Sequence, residues 1–134
     1  MEDIFPFINK QLLEQIADRQ AQADNYGFVE DCMPFLAKET VARLAMDAYE
    51  KMGVRGTEDF MPFLLQEARQ EIAGREYEKN GLSGLEDIAP FLDKGYLNAL
   101  AKEALEKEGI KAISPIACFL DRNMISQFIR EQYL

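Results

Sequence analysis

A six-residue pattern recurs along this chain at a fixed interval of 28 residues, and it constrains the fold more than any other feature. The first copy is Asp3–Ile8, with the sequence Asp-Ile-Phe-Pro-Phe-Ile. Later copies begin at Asp31, Asp59 and Asp87 without insertion or deletion, and a degenerate copy occupies Pro115–Leu120. Such regular spacing is typical of repeat proteins, in which every copy forms one structural unit.

Each copy is predicted to contain a short helix followed by a longer one. The short helix is expected to begin at a Glu-Asp pair, because acidic side chains favour the positive end of the helix dipole. The proline three residues after the Asp is tolerated in a first helical turn. The acidic pairs are Glu30 with Asp31, Glu58 with Asp59, and Glu86 with Asp87.

The longer helix carries a start signal and a stop signal in most copies. Asn9, Asp93 and Asp121 stand at its predicted N-cap, where a side-chain oxygen accepts a backbone N–H. Residues that tolerate a left-handed conformation stand at its predicted end. These residues are Asn25, Gly53, Gly81 and Gly109.

Two columns of equivalent residues predict how the copies pack. The phenylalanines are expected to form the spine of the core, and the alanines to allow close approach of neighbouring helices. The first column is Phe7, Phe35, Phe63, Phe91 and Phe119, and the second is Ala17, Ala45, Ala73 and Ala101. A short and a long helix cannot bury an apolar stripe alone, so the copies are expected to stack on one another.

The predicted fold class is therefore all-α. The sequence predicts an α-solenoid of about five 28-residue helix–turn–helix repeats, each a short helix plus a longer helix. One repeat domain is expected over residues 1–134. Its repeats are 3–30, 31–58, 59–86, 87–114 and 115–134.

This architecture resembles the general class of helical-hairpin repeat proteins, such as HEAT and tetratricopeptide arrays. The resemblance covers the whole chain at the level of architecture alone. The 28-residue period is shorter than in either family, and the chain has no Trp with which to form the tetratricopeptide pattern. The resemblance implies a scaffold that presents a surface to other macromolecules, and it assigns a function to no individual residue.

Charge excludes several classes of partner. The net charge is −9, and an acidic surface repels both the phosphate backbone of nucleic acids and anionic membrane faces. A basic partner remains open, beside the simpler explanation that negative charge keeps the chain soluble. No apolar run approaches the length needed to span a bilayer, and the first residues do not read as a signal peptide, so a cytoplasmic location is expected.

Catalysis is not expected. The chain has no His, which is the commonest general base and zinc ligand, and Cys32 and Cys118 form neither a disulfide framework nor a metal site. No cofactor, metal or catalytic residue is predicted. Carboxylates of neighbouring copies are expected to lie too far apart to share one cation.

Two further columns each allow two interpretations. Lys10, Lys38, Lys94 and Arg122 occupy one position, which is a solvated face or an anion-binding stripe. Tyr49, Tyr77 and Tyr133 occupy another, which is the margin of the core or a recognition surface, because Tyr is common in interfaces.

The last helix lacks the polar outer side that usually caps a solenoid. The candidate interface residues are Met124, Ile125, Phe128, Tyr133 and Leu134, together with Tyr49 and Tyr77. Three interpretations stay open. The helix packs entirely against the preceding copy, it meets another chain, or further repeats follow it in a longer protein. The predicted function is a non-catalytic protein-interaction or scaffolding module that binds a protein or peptide. The alternative is a structural protein that oligomerises through its C-terminal repeat, for instance as a homodimer.

Overall fold

The computed structural model describes residues 2–134, and the side chains from residue 4 onwards. Every regular element in this part of the chain is helical, which confirms the all-α prediction. The α-helices are α1 (Lys10–Gln22), α2 (Tyr26–Cys32), α3 (Lys38–Met52), α4 (Gln66–Asn80), α5 (Lys94–Glu108) and α6 (Arg122–Tyr133). The 3₁₀ helices are Glu2–Phe7, Met33–Phe35, Val54–Phe63, Gly81–Leu85, Ala89–Phe91 and Ile110–Phe119.

The long helices follow the period of the sequence. They begin at Lys10, Lys38, Gln66, Lys94 and Arg122, which are 28 residues apart. The predicted N-caps are confirmed, because Asn9, Asp93 and Asp121 each accept a backbone N–H of the first helical turn. Local start signals therefore place each of these three helices correctly.

The predicted helix ends are correct at the glycines and wrong in the first copy. Gly53 and Gly109 cap α3 and α5 with φ of 78° and 85°, and Gly81 follows α4 with φ of 71°. In the first copy Asp24, and not Asn25, adopts the left-handed conformation, with φ of 59°. The Asn25 side chain instead donates to Gln20 Oε1 at 2.8 Å, and Asn25 precedes α2.

The short segments begin earlier than predicted. They start one to four residues after the last residue of the long helices, at Tyr26, Val54, Gly81 and Ile110, so the acidic pairs lie inside or between them. Compensation of a helix dipole at a first turn is therefore the wrong explanation for these pairs. Pro34 has no backbone N–H with which to continue the α-helical hydrogen bonds, and α2 gives way to the 3₁₀ helix Met33–Phe35 that contains it.

The phenylalanine column is not the spine of the core, contrary to the prediction. Phe7 is 86% exposed, and its later equivalents are half-buried. The buried aromatic residue of the third copy is Phe60, which is 1% exposed, and Met61 and Leu64 are buried beside it. A 3₁₀ helix has about three residues per turn, so Met61 and Leu64 share a face. Phe63 follows Phe60 by the same three residues but is only half-buried.

The alanine column does lie in the core, as predicted. Ala17, Ala45, Ala73 and Ala101 are all 0% exposed. Because α4 carries little other apolar surface, Ala73 and the adjacent Ile72 account for most of its buried side chains. The sequence therefore identified the buried stripe of the long helices, but not that of the short segments.

The chain divides into two compact units, Met1–Ala68 and Arg69–Leu134, and the division falls within α4. In the first unit, α1 packs against α2 and α3, and α3 packs against the 3₁₀ helix Val54–Phe63. In the second unit, α5 and the 3₁₀ helices Gly81–Leu85 and Ile110–Phe119 pack against one another. The single repeat domain over residues 1–134 stays a prediction. None of the described helices combines the length and the apolar character needed to cross a membrane.

Candidate interaction surface

A cation on a long helix contacts the end of the short segment in the next copy. Lys38 of α3 donates to the carbonyl oxygen of Phe63 at 2.9 Å, and Arg69 of α4 donates to that of Phe91 at 2.9 Å. Carbonyl groups at a helix end carry partial negative charge, so a cation stabilises them. Lys38 is exposed, which agrees with the interpretation of this column as a solvated face. A solvated face alone does not account for the hydrogen bond from Lys38 to the Phe63 carbonyl.

Side chains of α1 and α3 join two consecutive copies. Arg43 forms a 2.8 Å ion pair with Asp18, and Thr40 donates to Glu14 at 3.0 Å. Lys51 donates to the Ala21 carbonyl oxygen at 3.3 Å, near the end of α1. We call the side of a copy that contacts the next copy the following face; it bears Glu14, Asp18, Ala21, Lys38 or their equivalents. We call the side that contacts the copy before it the preceding face; it bears Thr40, Arg43, Lys51, the short segment ending at Phe63, or their equivalents.

The second unit uses the same positions. The Tyr96 hydroxyl donates to the Gln70 carbonyl oxygen at 3.1 Å. Tyr96 is two repeat lengths after Thr40, and Gln70 is two repeat lengths after Glu14. Asn98, also equivalent to Glu14, accepts the backbone N–H of Asp121 at 3.1 Å. Both units therefore pack a following face against the copy that comes next.

Helix α6 has the least buried surface of the long helices. Its side chains include none that is buried. Met124, Ile125 and Phe128 are half-buried, whereas Tyr133 and Leu134 are 66% and 98% exposed. Four of the five predicted C-terminal interface residues thus lie on α6, and the fifth, Leu134, directly follows it.

Two open clefts lie between α5 and α6, with volumes of about 400 and 250 Å³. Both are lined by Leu105, Glu106, Phe128 and Gln132. Tyr133 also lines the larger cleft, and Met124 the smaller one. Met124 and Phe128 therefore line the space between α6 and α5, beside polar side chains such as Glu106 and Gln132.

The other two predicted interface residues lie deeper. Tyr49 is 5% exposed, and Tyr77 is half-buried. Burial raises the pKa of Tyr77, and the nearby charge of Glu103 raises it further. For Tyr49 this burial favours the core margin over a recognition surface, whereas the equivalent Tyr133 is open to solvent.

Carboxyl groups from two consecutive acidic pairs, Glu30–Asp31 and Glu58–Asp59, do meet, contrary to the predicted separation. A hydrogen bond to Asp59 raises the pKa of Glu30 to about 7, with further contributions from burial and from the charges of Asp59 and Asp31. The prediction used the spacing of packed long helices, but these residues lie on short segments. Two carboxyl groups in contact share a proton more easily than they carry two charges. The described residues contain no group of three His, Cys, Asp or Glu side chains that could hold a metal ion.

A second exposed apolar surface, at the opposite end of the repeat order, was not predicted. Ile4, Phe7 and Leu12 are 51%, 86% and 50% exposed. The sequence did contain a signal for it, since the first copy of a capped solenoid is expected to carry polar residues on its outer side.

Comparison of the chain with protein-family models, with curated proteins and with solved structures found no match.

Proposed function

We propose that this chain is an α-solenoid that acts as a non-catalytic protein-interaction or scaffolding module. The observation that best supports this proposal is a repeated contact. Thr40 contacts Glu14 in the first unit, and the equivalent Tyr96 contacts Gln70 in the second. Copies that contact their neighbours through equivalent positions present the same surface again and again along the chain. Such repeated surfaces suit extended protein or peptide partners.

The partner surface includes α6 and its clefts. A large exposed apolar surface usually marks a contact site, and Tyr combines apolar area with a polar group. Phe128 lines both clefts, and Tyr133 lines the larger one. A partner that inserts an apolar side chain between α5 and α6 would bury these aromatic rings.

The experiment is affinity capture with the intact chain, followed by calorimetric titration of each captured protein in purified form. We expect saturable binding that is weakened by Tyr133→Ser, because the substitution removes exposed aromatic area without disturbing a buried residue. The matched control is Gln22→Ser, at an exposed position of α1 far from α6 in sequence. Absence of any saturable partner, or equal binding by both variants, would contradict the proposal for this surface.

A second candidate is a structural protein that oligomerises through its C-terminal repeat. The observation that favours it is the open following face of α6, where Ile129 and Tyr133 are 39% and 66% exposed. Sedimentation over a concentration series separates the candidates, because an adaptor without self-association keeps the mass of a monomer.

A further inference from the structure

The last copy exposes positions that are covered in earlier copies. Tyr133 is 66% exposed, whereas Tyr49 and Leu105 at the same repeat position are 5% and 2% exposed. Ile129 is 39% exposed, whereas the equivalent Ala101 is 0% exposed. The following face of α6 is therefore the kind of surface that is covered in the earlier copies.

The first copy exposes the complementary set. Ile4 is 51% exposed, although its equivalents Cys32 and Ile88 are both 0% exposed. Leu12 is 50% exposed, while Thr40 at the same position is 8% exposed and contacts the preceding copy. The preceding face of the first copy thus has the apolar character of a surface that packs against a following face.

The contacts between consecutive copies predict which residues would meet. Lys38 bonds to the Phe63 carbonyl, so the equivalent Arg122 would reach the Phe7 carbonyl of a second copy. Within the chain, Glu14 contacts Thr40 and Asp18 contacts Arg43. At the equivalent positions between two copies of the chain, Ser126 would face Leu12 and Arg130 would face Gln15. None of these residue pairs places two like charges against each other.

Charge also favours a copy of this chain as the occupant. The following face of α6 carries Arg122 and Arg130, and its other positions are uncharged. The first repeat, residues 3–30, carries five acidic and two basic side chains, so these two arginines are complementary in charge to the repeat that they would meet.

We propose that the following face of α6 binds the preceding face of the first repeat in a second copy of this chain, end to end and in repeat register. This inference rests on the stacked repeats of the proposed function. The contact is heterologous, since it joins two different surfaces, and such contacts can extend to chains of copies or close into rings.

Two blocking variants test the direction of the contact. Phe7→Glu with Leu12→Glu blocks the first repeat, and Ile129→Glu with Tyr133→Glu blocks α6. The wild-type chain is expected to gain mass with concentration in sedimentation equilibrium. Each blocked variant alone is expected to associate on the order of a hundredfold more weakly, because a charge would be buried without a partner. An equal mixture of the two is expected to restore association as a heterodimer that grows no further.

Matched controls carry the same charge change elsewhere. Gln11→Glu with Gln22→Glu serves for the first repeat, and Asn123→Glu serves for the single change Tyr133→Glu in α6; all three control positions are exposed. Both controls are expected to associate like the wild type. Circular dichroism and thermal unfolding establish that every variant is folded, and a blocked variant that does not fold is replaced by the single substitution Phe7→Glu or Tyr133→Glu.

Three outcomes would overturn the proposal. A wild-type chain that stays monomeric at concentrations on the order of several hundred micromolar excludes a second copy as the occupant of α6. A dimer that survives the first-repeat block and is lost on the α6 block shows a two-fold contact of α6 with itself. A mixture that stays monomeric excludes pairing of the two ends. A monomeric chain that still binds a captured partner would leave the proposed function intact, so the two failures are distinguishable.

Discussion

The ammonium group of Lys38 donates a hydrogen bond to the carbonyl oxygen of Phe63, 2.9 Å away, and so joins α3 to the end of the short segment in the next copy. Arg69 makes the same kind of contact with Phe91. Removing this donor tests whether it stabilises the fold. Lys38→Met keeps most of the side chain and is expected to lower the free energy of unfolding by about 0.5–1 kcal/mol. Urea denaturation measures the change. Lys10→Met, at an equivalent exposed position, is the control, and an equal loss there would contradict a specific role for Lys38.

The burial of Phe60 predicts an unequal cost for two phenylalanines of one segment. Phe60 is 1% exposed and packs edge-on against Tyr26, with ring centres 6.3 Å apart. Phe60→Ala is expected to cost about 3–5 kcal/mol of unfolding free energy, as for other buried aromatic residues. Phe63→Ala should cost about 1–2 kcal/mol, because Phe63 is only half-buried. Chemical denaturation of both variants measures the change. A larger loss of unfolding free energy for Phe63→Ala than for Phe60→Ala would show that Phe63 is the main buried phenylalanine of this segment.

Two glycines are expected to respond in opposite directions to alanine. A Cβ at Gly56 would lie 2.9 Å from Met52 Cβ and 3.1 Å from the Ala48 carbonyl oxygen, so Gly56→Ala should destabilise the chain by about 1–3 kcal/mol. A Cβ at Gly27 meets no atom within 4 Å, and Gly27 lies within α2. Gly27→Ala should therefore stabilise the chain by about 0.5–1 kcal/mol. Thermal and urea unfolding compare the two, and a shift in the same direction at both sites would contradict the packing around Gly56.

The carboxyl pair predicts a pH dependence of stability. The Asp59 hydrogen bond raises the pKa of Glu30 to about 7 in the folded chain, from an ordinary value of 4.5. The folded state then binds more protons than the unfolded state between these values, so the contribution of Glu30 is full below pH 4.5 and is lost as the pH rises through 7. Glu30→Gln should remove this loss and flatten the stability profile between pH 5 and 8, relative to the wild type.

The matched control for this measurement is Glu39→Gln, at an exposed position of α3. Its profile should follow that of the wild type across the same pH range. If Glu30→Gln and the wild type lose stability in parallel from pH 5 to 8, the shared proton between Glu30 and Asp59 is not formed.

The two cysteines are expected to react at different rates. Cys32 is buried, and burial raises the pKa of its thiol to about 11, whereas Cys118 is exposed. The thiolate is the reactive form, so the native chain at pH 8 should show one fast-reacting thiol. Cys32 should react only after denaturant is added. A disulfide-exchange reagent followed by absorbance counts both, and Cys118→Ser should abolish the fast phase. Two fast thiols in the native chain would show that the site around Cys32 is open.

The sequence by itself determined the placement of the long helices. Their starts depend on Asn9, Asp93 and Asp121, and two of their ends on Gly53 and Gly109, and these signals act through bonds within a few residues. Burial of the alanine column could be predicted because helical periodicity is also a local property.

Only the tertiary structure decided how one copy meets the next. Phe60 rather than Phe63 is buried, Lys38 reaches Phe63, and Glu30 meets Asp59, because each outcome depends on the position of a neighbouring segment more than 20 residues away. The same holds for the candidate surface. The apolar residues of α6 were visible in the sequence, but their exposure depends on whether another helix covers them, which local signals do not encode.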